Sequence, residues 1–252
     1  MRAQLKSNKK VALCLHGYFN SQTDSNSLGE DGFEHIRKRV ISVSNALGFE
    51  VDAYIHSWEP HLCETINSLY KPKAFLYQSQ IDFSSIVNSR GLHKLDTPMT
   101  QRRPPSTILS HFYSVQKSLE LCYQSGIGYD IVIKARFDVG RINRNPNATP
   151  VQCISFDPNL DMSTMKMANW ELFQDGPADM WFYSGYEAMS PFTSIFNDLL
   201  DHFYIDSDFH KYVQSKKSLS YNDISNAVVF YKWWFKYRSL WENKEALECV
   251  YE

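Results

Sequence analysis

Tyr129-Asp130-Ile131-Val132-Ile133-Lys134-Ala135-Arg136-Phe137-Asp138-Val139 is an apolar run with a charged exit. It reads as a buried strand, Asp130 to Phe137, that delivers an arginine and an aspartate to its far end. Toward the N-terminus, Val11 to Leu15 is a second short apolar run, and it leaves through the glycine turn His16-Gly17. Val51 to Trp58 and Ala74 to Tyr77 carry two further strand patterns. Helical spacing fills the intervals. Phe33, Ile36, Val40, Val43 and Leu47 step by three and four, with Gly48 where a C-cap belongs. Ile108, Phe112, Val115, Leu119 and Cys122 do the same, with Ser106 or Thr107 as the expected cap. Ile224, Val228, Tyr231 and Phe235 mark a C-terminal helix, which Trp233 and Trp234 give a broad apolar surface. Strands alternating with helices predict an α/β fold whose sheet is largely parallel in its first half, with ligands beyond the carboxyl ends of the strands. Three exits carry polar or aromatic groups there: His16-Gly17-Tyr18, His56-Ser57-Trp58 and Arg136-Phe137-Asp138.

Composition narrows the function. The chain has 252 residues, 43% hydrophobic and 21% charged, which fits one globular domain over 1–252 and excludes a fibrous or disordered protein. The net charge of −2 leaves no whole-chain field for nucleic acid or an acidic membrane, so any anion must be met locally. The five cysteines are odd in number and lack a Cys-x-x-Cys, which suggests neither a disulfide framework nor zinc and fits a cytoplasmic protein. No stretch reads as a signal peptide or a membrane span. The Ser84 to Ser106 stretch, with Gln101-Arg102-Arg103-Pro104-Pro105, is the expected mobile loop.

Several motifs fail on inspection. Leu15-His16-Gly17 suits the oxyanion strand of an α/β-hydrolase, but no Gly-x-Ser-x-Gly elbow follows. Gly126-Ile127-Gly128 lacks a third glycine and precedes a strand rather than following one, and there is no Walker A sequence. The charged exit is more informative. A carboxylate at the end of a buried strand is costly unless it is paired or binds a cation. Asp138 therefore either pairs with Arg136, caps a turn, or holds a divalent cation that in turn holds a diphosphate. Tyr18 is either a plain core or surface tyrosine or one that stacks on a nucleobase while backbone groups around His16 and Gly17 read its edge. Ser110, Ser114 and Lys117 share one helix face, which is either a solvated face or one where Lys117 meets phosphate or sugar hydroxyls.

The blocks Val11 to Gly17, Val51 to Trp58, Leu69 to Lys73, His111 to Ser114, and Tyr129 to Asp138, with the later run Asp179 to Met189, resemble GT-A-type glycosyltransferases of bacterial surface-polysaccharide clusters and large DNA viruses. The resemblance implies a Rossmann-like nucleotide-binding sandwich with a mostly parallel central sheet and C-terminal helices. It implies transfer of a sugar from a nucleotide-diphosphate sugar to a glycan or glycoconjugate acceptor. It also implies Mn²⁺ or Mg²⁺ on Asp138, with Arg136 near the phosphates, and an acid at Asp179 to deprotonate the acceptor; Asp175 is the alternative. Where many such enzymes carry two aspartates this chain has Arg136-Phe137-Asp138, so Arg136 can itself neutralise phosphate. A non-catalytic glycan- or nucleotide-binding module is the competing expectation.

Overall fold

The computed structural model describes residues 9–20, 28–90, 105–140, 153–167 and 180–202. Its strands are β1 (Lys9–Gly17), β2 (Phe49–Ser57), β3 (Ala74–Tyr77), β4 (Ile131–Arg136), β5 (Lys166–Met167) and β6 (Trp181–Ser184). They form one sheet in the order β3-β2-β1-β4-β6-β5. β1 pairs in parallel with β2 and β4, and β2 with β3, while β6 runs antiparallel to β4 and β5. The fold is therefore α/β with a mostly parallel sheet. Its 3-2-1-4 order is Rossmann-like and reverses direction between β1 and β4, the place where such sheets open a crevice. β1 continues past its apolar core through His16 and Gly17 because His56, Ser57 and Arg136 stand beside them as ladder partners.

The helical segments are α1 (Leu28–Ile36), a π turn (Arg37–Ile41), α2 (Ser42–Ala46), α3 (Cys63–Tyr70), α4 (Ser84–Ser89), α5 (Pro105–Gln124), α6 (Tyr186–Met189) and α7 (Ile195–His202). Strand alternation sends Ala12, Cys14, Tyr54 and Val132 to the face that packs on Phe112, Val115, Leu119 and Cys122 of α5. Val11, Leu13, Leu15, Ile55 and Ile133 go to the opposite face, against Ile36, Val40 and Phe137. Each such aliphatic side chain contributes roughly 1.5–3 kcal/mol on burial.

Two local expectations need correction. The segment around Phe33 to Leu47 is helical and Gly48 closes it, its N–H donating to the Asn45 carbonyl at 3.0 Å. Leu47, however, is 50% exposed, while Ser44 is buried. The π turn is the cause: its extra residue shifts the phase of the apolar stripe, so the position after Val40 that faces the sheet is Ser44. Helix α5 starts at Pro105, where a missing N–H costs nothing, so neither Ser106 nor Thr107 is its cap. The Ser84 to Ser106 stretch begins with α4, and residues 91–104 lie outside the described residues, as does the helix expected around Ile224 to Phe235. No helix among the described residues is long and apolar enough to cross a membrane.

Helix α1 sits close to the exit of β4. A Cβ built on Gly32 would lie 1.8 Å from the Phe137 carbonyl oxygen, so only glycine allows this approach. Gly32→Ala is expected to destabilise the protein by about 1–3 kcal/mol, the usual cost of forcing bulk into a packed contact, seen as a lower urea midpoint with unchanged slope.

Candidate functional site

The carboxyl edge of the sheet is built by register. His56, His16 and Arg136 stand side by side on β2, β1 and β4, and Gly17 stands beside Ser57. Alternation puts the first three on the α5 face, one layer above Lys134 and Cys14. Gly17 has φ +101°, a conformation that side-chain-bearing residues rarely adopt, and there β1 leaves the sheet. Helix α5 fixes this edge. Ser114 Oγ accepts the Gly17 N–H at 2.9 Å and lies 2.6 Å from His56 Nδ1. The Trp58 N–H donates to the Gly17 carbonyl at 3.3 Å, which ties the second exit to the first.

The imidazoles here are kept neutral. His16 is 1% exposed, meets the His111 ring edge-on at 5.1 Å, and has no hydrogen-bond partner on either ring nitrogen among the described residues. Burial first, then the neighbouring Lys134, His111, Arg136 and His56, holds its pKa well below the ordinary value. Burial, aided by Lys117, lowers that of His56 to about 3. Lys134 is itself buried, with its ammonium over the Phe182 ring at 4.9 Å.

A cavity of about 420 Å³ opens just beyond this edge, lined by Tyr18, Asn20, Trp58, Glu59, His61 and Gln80 among others. Trp58 is nearly buried and stacks on Tyr113, with ring centroids 5.4 Å apart. The Tyr18 hydroxyl donates to Gln80 Oε1 at 2.8 Å, and Gln80 Nε2 donates to Ser110 Oγ at 2.9 Å. Burial, and secondarily Glu59, raises the Tyr18 pKa, so it stays a neutral donor. Glu59 and Gln80 escape the sequence reading. The available signal for Glu59 was an acid directly after a strand exit and before a proline, His56-Ser57-Trp58-Glu59-Pro60.

Arg136 and Asp138 form a fork-to-fork pair. Arg136 Nε donates to Asp138 Oδ1 at 2.8 Å and Nη2 to Oδ2 at 2.6 Å. Both carboxylate oxygens therefore face a guanidinium. Among the described residues no three His, Cys, Asp or Glu side chains converge to hold a metal ion. The Arg136 N–H donates to the Met180 carbonyl at 3.0 Å, so the start of β6 meets the end of β4. Strand β6 is followed by Gly185, which precedes helix α6. Asp175 and Asp179 lie outside the described residues. His16, Gly17, Tyr18, His56, Ser57, Trp58, Ser114 and Arg136 thus meet at one sheet edge. Lys117 is bonded to Glu120 at 2.6 Å, and its ammonium lies over the ring of Tyr113, which stacks on Trp58.

No protein-family model matches the chain. No curated protein matches it either. Among solved structures it is similar to apo mouse xyloside xylosyltransferase 1, with a TM-score of 0.37 and 9% identity over 96% of this chain and 85% of that one. A likeness of that strength leaves fold and function to rest on the chain's own topology and residues.

Proposed function

We propose that the protein is a glycosyltransferase that uses a nucleotide-diphosphate sugar as donor and a glycan or glycoconjugate as acceptor. One observation carries the reading: the reversal of the 3-2-1-4 sheet lies between the Gly17 turn and Arg136, beside a cavity bearing Tyr18 and Trp58. An aromatic cavity suits the nucleobase, the glycine turn lets the backbone approach the ligand, and a rigid strand-end guanidinium suits a diphosphate.

In this reading Arg136 meets the charge that develops on the departing diphosphate. Its fork is held in place by Asp138, a positioning residue. Buried neutral imidazoles at His16 and His56 line the same edge without adding fixed charge. Asp179, with Asp175 as alternative, is proposed to take the proton of the acceptor hydroxyl. A panel of nucleotide sugars tests this: transfer or hydrolysis from one of them is expected, and turnover should survive EDTA. Activity lost with EDTA and restored by Mn²⁺ would return Asp138 to the role of metal ligand.

A binding module is the second reading, favoured by the closed Arg136–Asp138 pair. Saturable nucleotide-sugar binding with no turnover across donors and acceptors would establish it in place of the enzyme.

A further inference from the structure

Glu59 is 6% exposed, and its carboxylate is asymmetrically used. Oε2 accepts two backbone N–H groups, from Phe19 at 2.5 Å and Asn20 at 2.9 Å, which fixes the chain just after the Gly17 turn. No described residue donates to Oε1, and the side chain lines the cavity. With Oε2 engaged, Oε1 is the carboxylate oxygen left to accept donors from a molecule in the cavity.

We propose that Glu59 reads the ribose of the donor, its Oε1 accepting the vicinal 2′- and 3′-hydroxyls of a ribonucleoside diphosphate. This rests on the nucleotide-sugar reading of the site. Two hydroxyls on neighbouring carbons rotate to converge on one oxygen, which is what remains of this carboxylate. A base edge fits it less well. Guanine's paired N–H groups need two oxygens side by side, and Oε2 is already engaged. The uracil N3–H is flanked by carbonyl oxygens that a carboxylate repels. Position agrees: Glu59 follows β2, next to the strand whose glycine turn marks the crevice, where an acid in a Rossmann-like sheet reaches ribose.

Affinities of the full-length protein for UDP, GDP, CDP and ADP, and for their 2′-deoxy counterparts, test the assignment by calorimetry. The best-bound ribonucleotide is expected to bind about tenfold or more tightly than its 2′-deoxy form, the range for a hydrogen bond to a charged acceptor. Glu59→Gln keeps a carbonyl oxygen for the Phe19 and Asn20 N–H groups but replaces the free oxygen with an amide. It should bring the ribose-to-deoxyribose ratio close to one while leaving inorganic diphosphate affinity unchanged, which also reports an intact fold. A wild-type protein that binds nucleotides without distinguishing ribose overturns the assignment and leaves the nucleotide-sugar reading standing. The same holds if Glu59→Gln alters the preference among bases and not the ribose ratio. Failure of every nucleotide to bind overturns both.

Discussion

Arg136→Ala is expected to lower kcat/KM on the nucleotide-sugar donor by about 10²–10³, the scale of losing one fixed donor at a site of developing negative charge. Arg136 is held by the sheet on one side of its backbone and by Asp138 at its head, at 2.8 and 2.6 Å, so its charge is presented without reorganisation. Alanine removes that cation and also leaves the Asp138 carboxylate facing the diphosphate with its sign uncompensated. The two effects add against binding and against turnover. Arg136→Lys keeps the charge but loses the planar fork, so it should recover only part of the loss. Stability should change little, because both side chains are partly exposed, 36% and 27%, and water screens the pair. A small change in urea midpoint beside a large loss of rate would mark a functional cation. Undiminished turnover in Arg136→Ala would remove Arg136 from the chemistry.

Acid is expected to destabilise the protein steeply between pH 6.5 and 4.5. His16 and His56 are buried, with folded pKa values well below the ordinary 6.5 for the first and about 3 for the second. In the unfolded chain both take up a proton near pH 6.5, while in the folded protein they do not, so the unfolded state binds more protons in this window. Stability is therefore fully present above about 6.5 and falls as the pH drops toward the folded values. His56 contributes about 1.4 kcal/mol per pH unit below 6.5, roughly 3 kcal/mol by pH 4.5 against a usual total of about 5–15, and His16 acts in the same direction. His35, lowered to about 4 by burial and by Arg39 and Lys38, acts in the same direction. Urea midpoints across this range measure the slope. His16→Leu removes a buried imidazole whose nitrogens have no partner among the described residues, so it should be near neutral or stabilising at pH 7 and should flatten the slope by about one proton. A midpoint that does not move between pH 6.5 and 4.5 would show that these imidazoles are not held neutral.

The α/β alternation was legible because apolar runs such as Val11 to Leu15 and Ile131 to Ala135 are local signals, and burial on both faces of a parallel sheet makes them nearly continuous. Strand exits could be read for the same reason, since each begins where its apolar run stops. His16, His56 and Arg136 were therefore visible as separate candidates, each within a few residues of its strand.

Their adjacency was not visible, because it depends on a ladder register between segments far apart in sequence, His16 opposite both His56 and Arg136. Glu59 escaped notice for a related reason: its partners are the backbone N–H groups of Phe19 and Asn20, which carry no residue identity to read. Asp138 was recognised as a residue needing a partner, and its contact with Arg136 depends on side-chain direction, which only the tertiary structure gives. Leu47 shows the same limit on a helix, where one π turn rotates the apolar stripe and turns an expected core residue outward. Periodicity along the chain sets which segments are buried, whereas the meeting of particular side chains at a site is set by register, phase and direction, and those are fixed only when the segments pack.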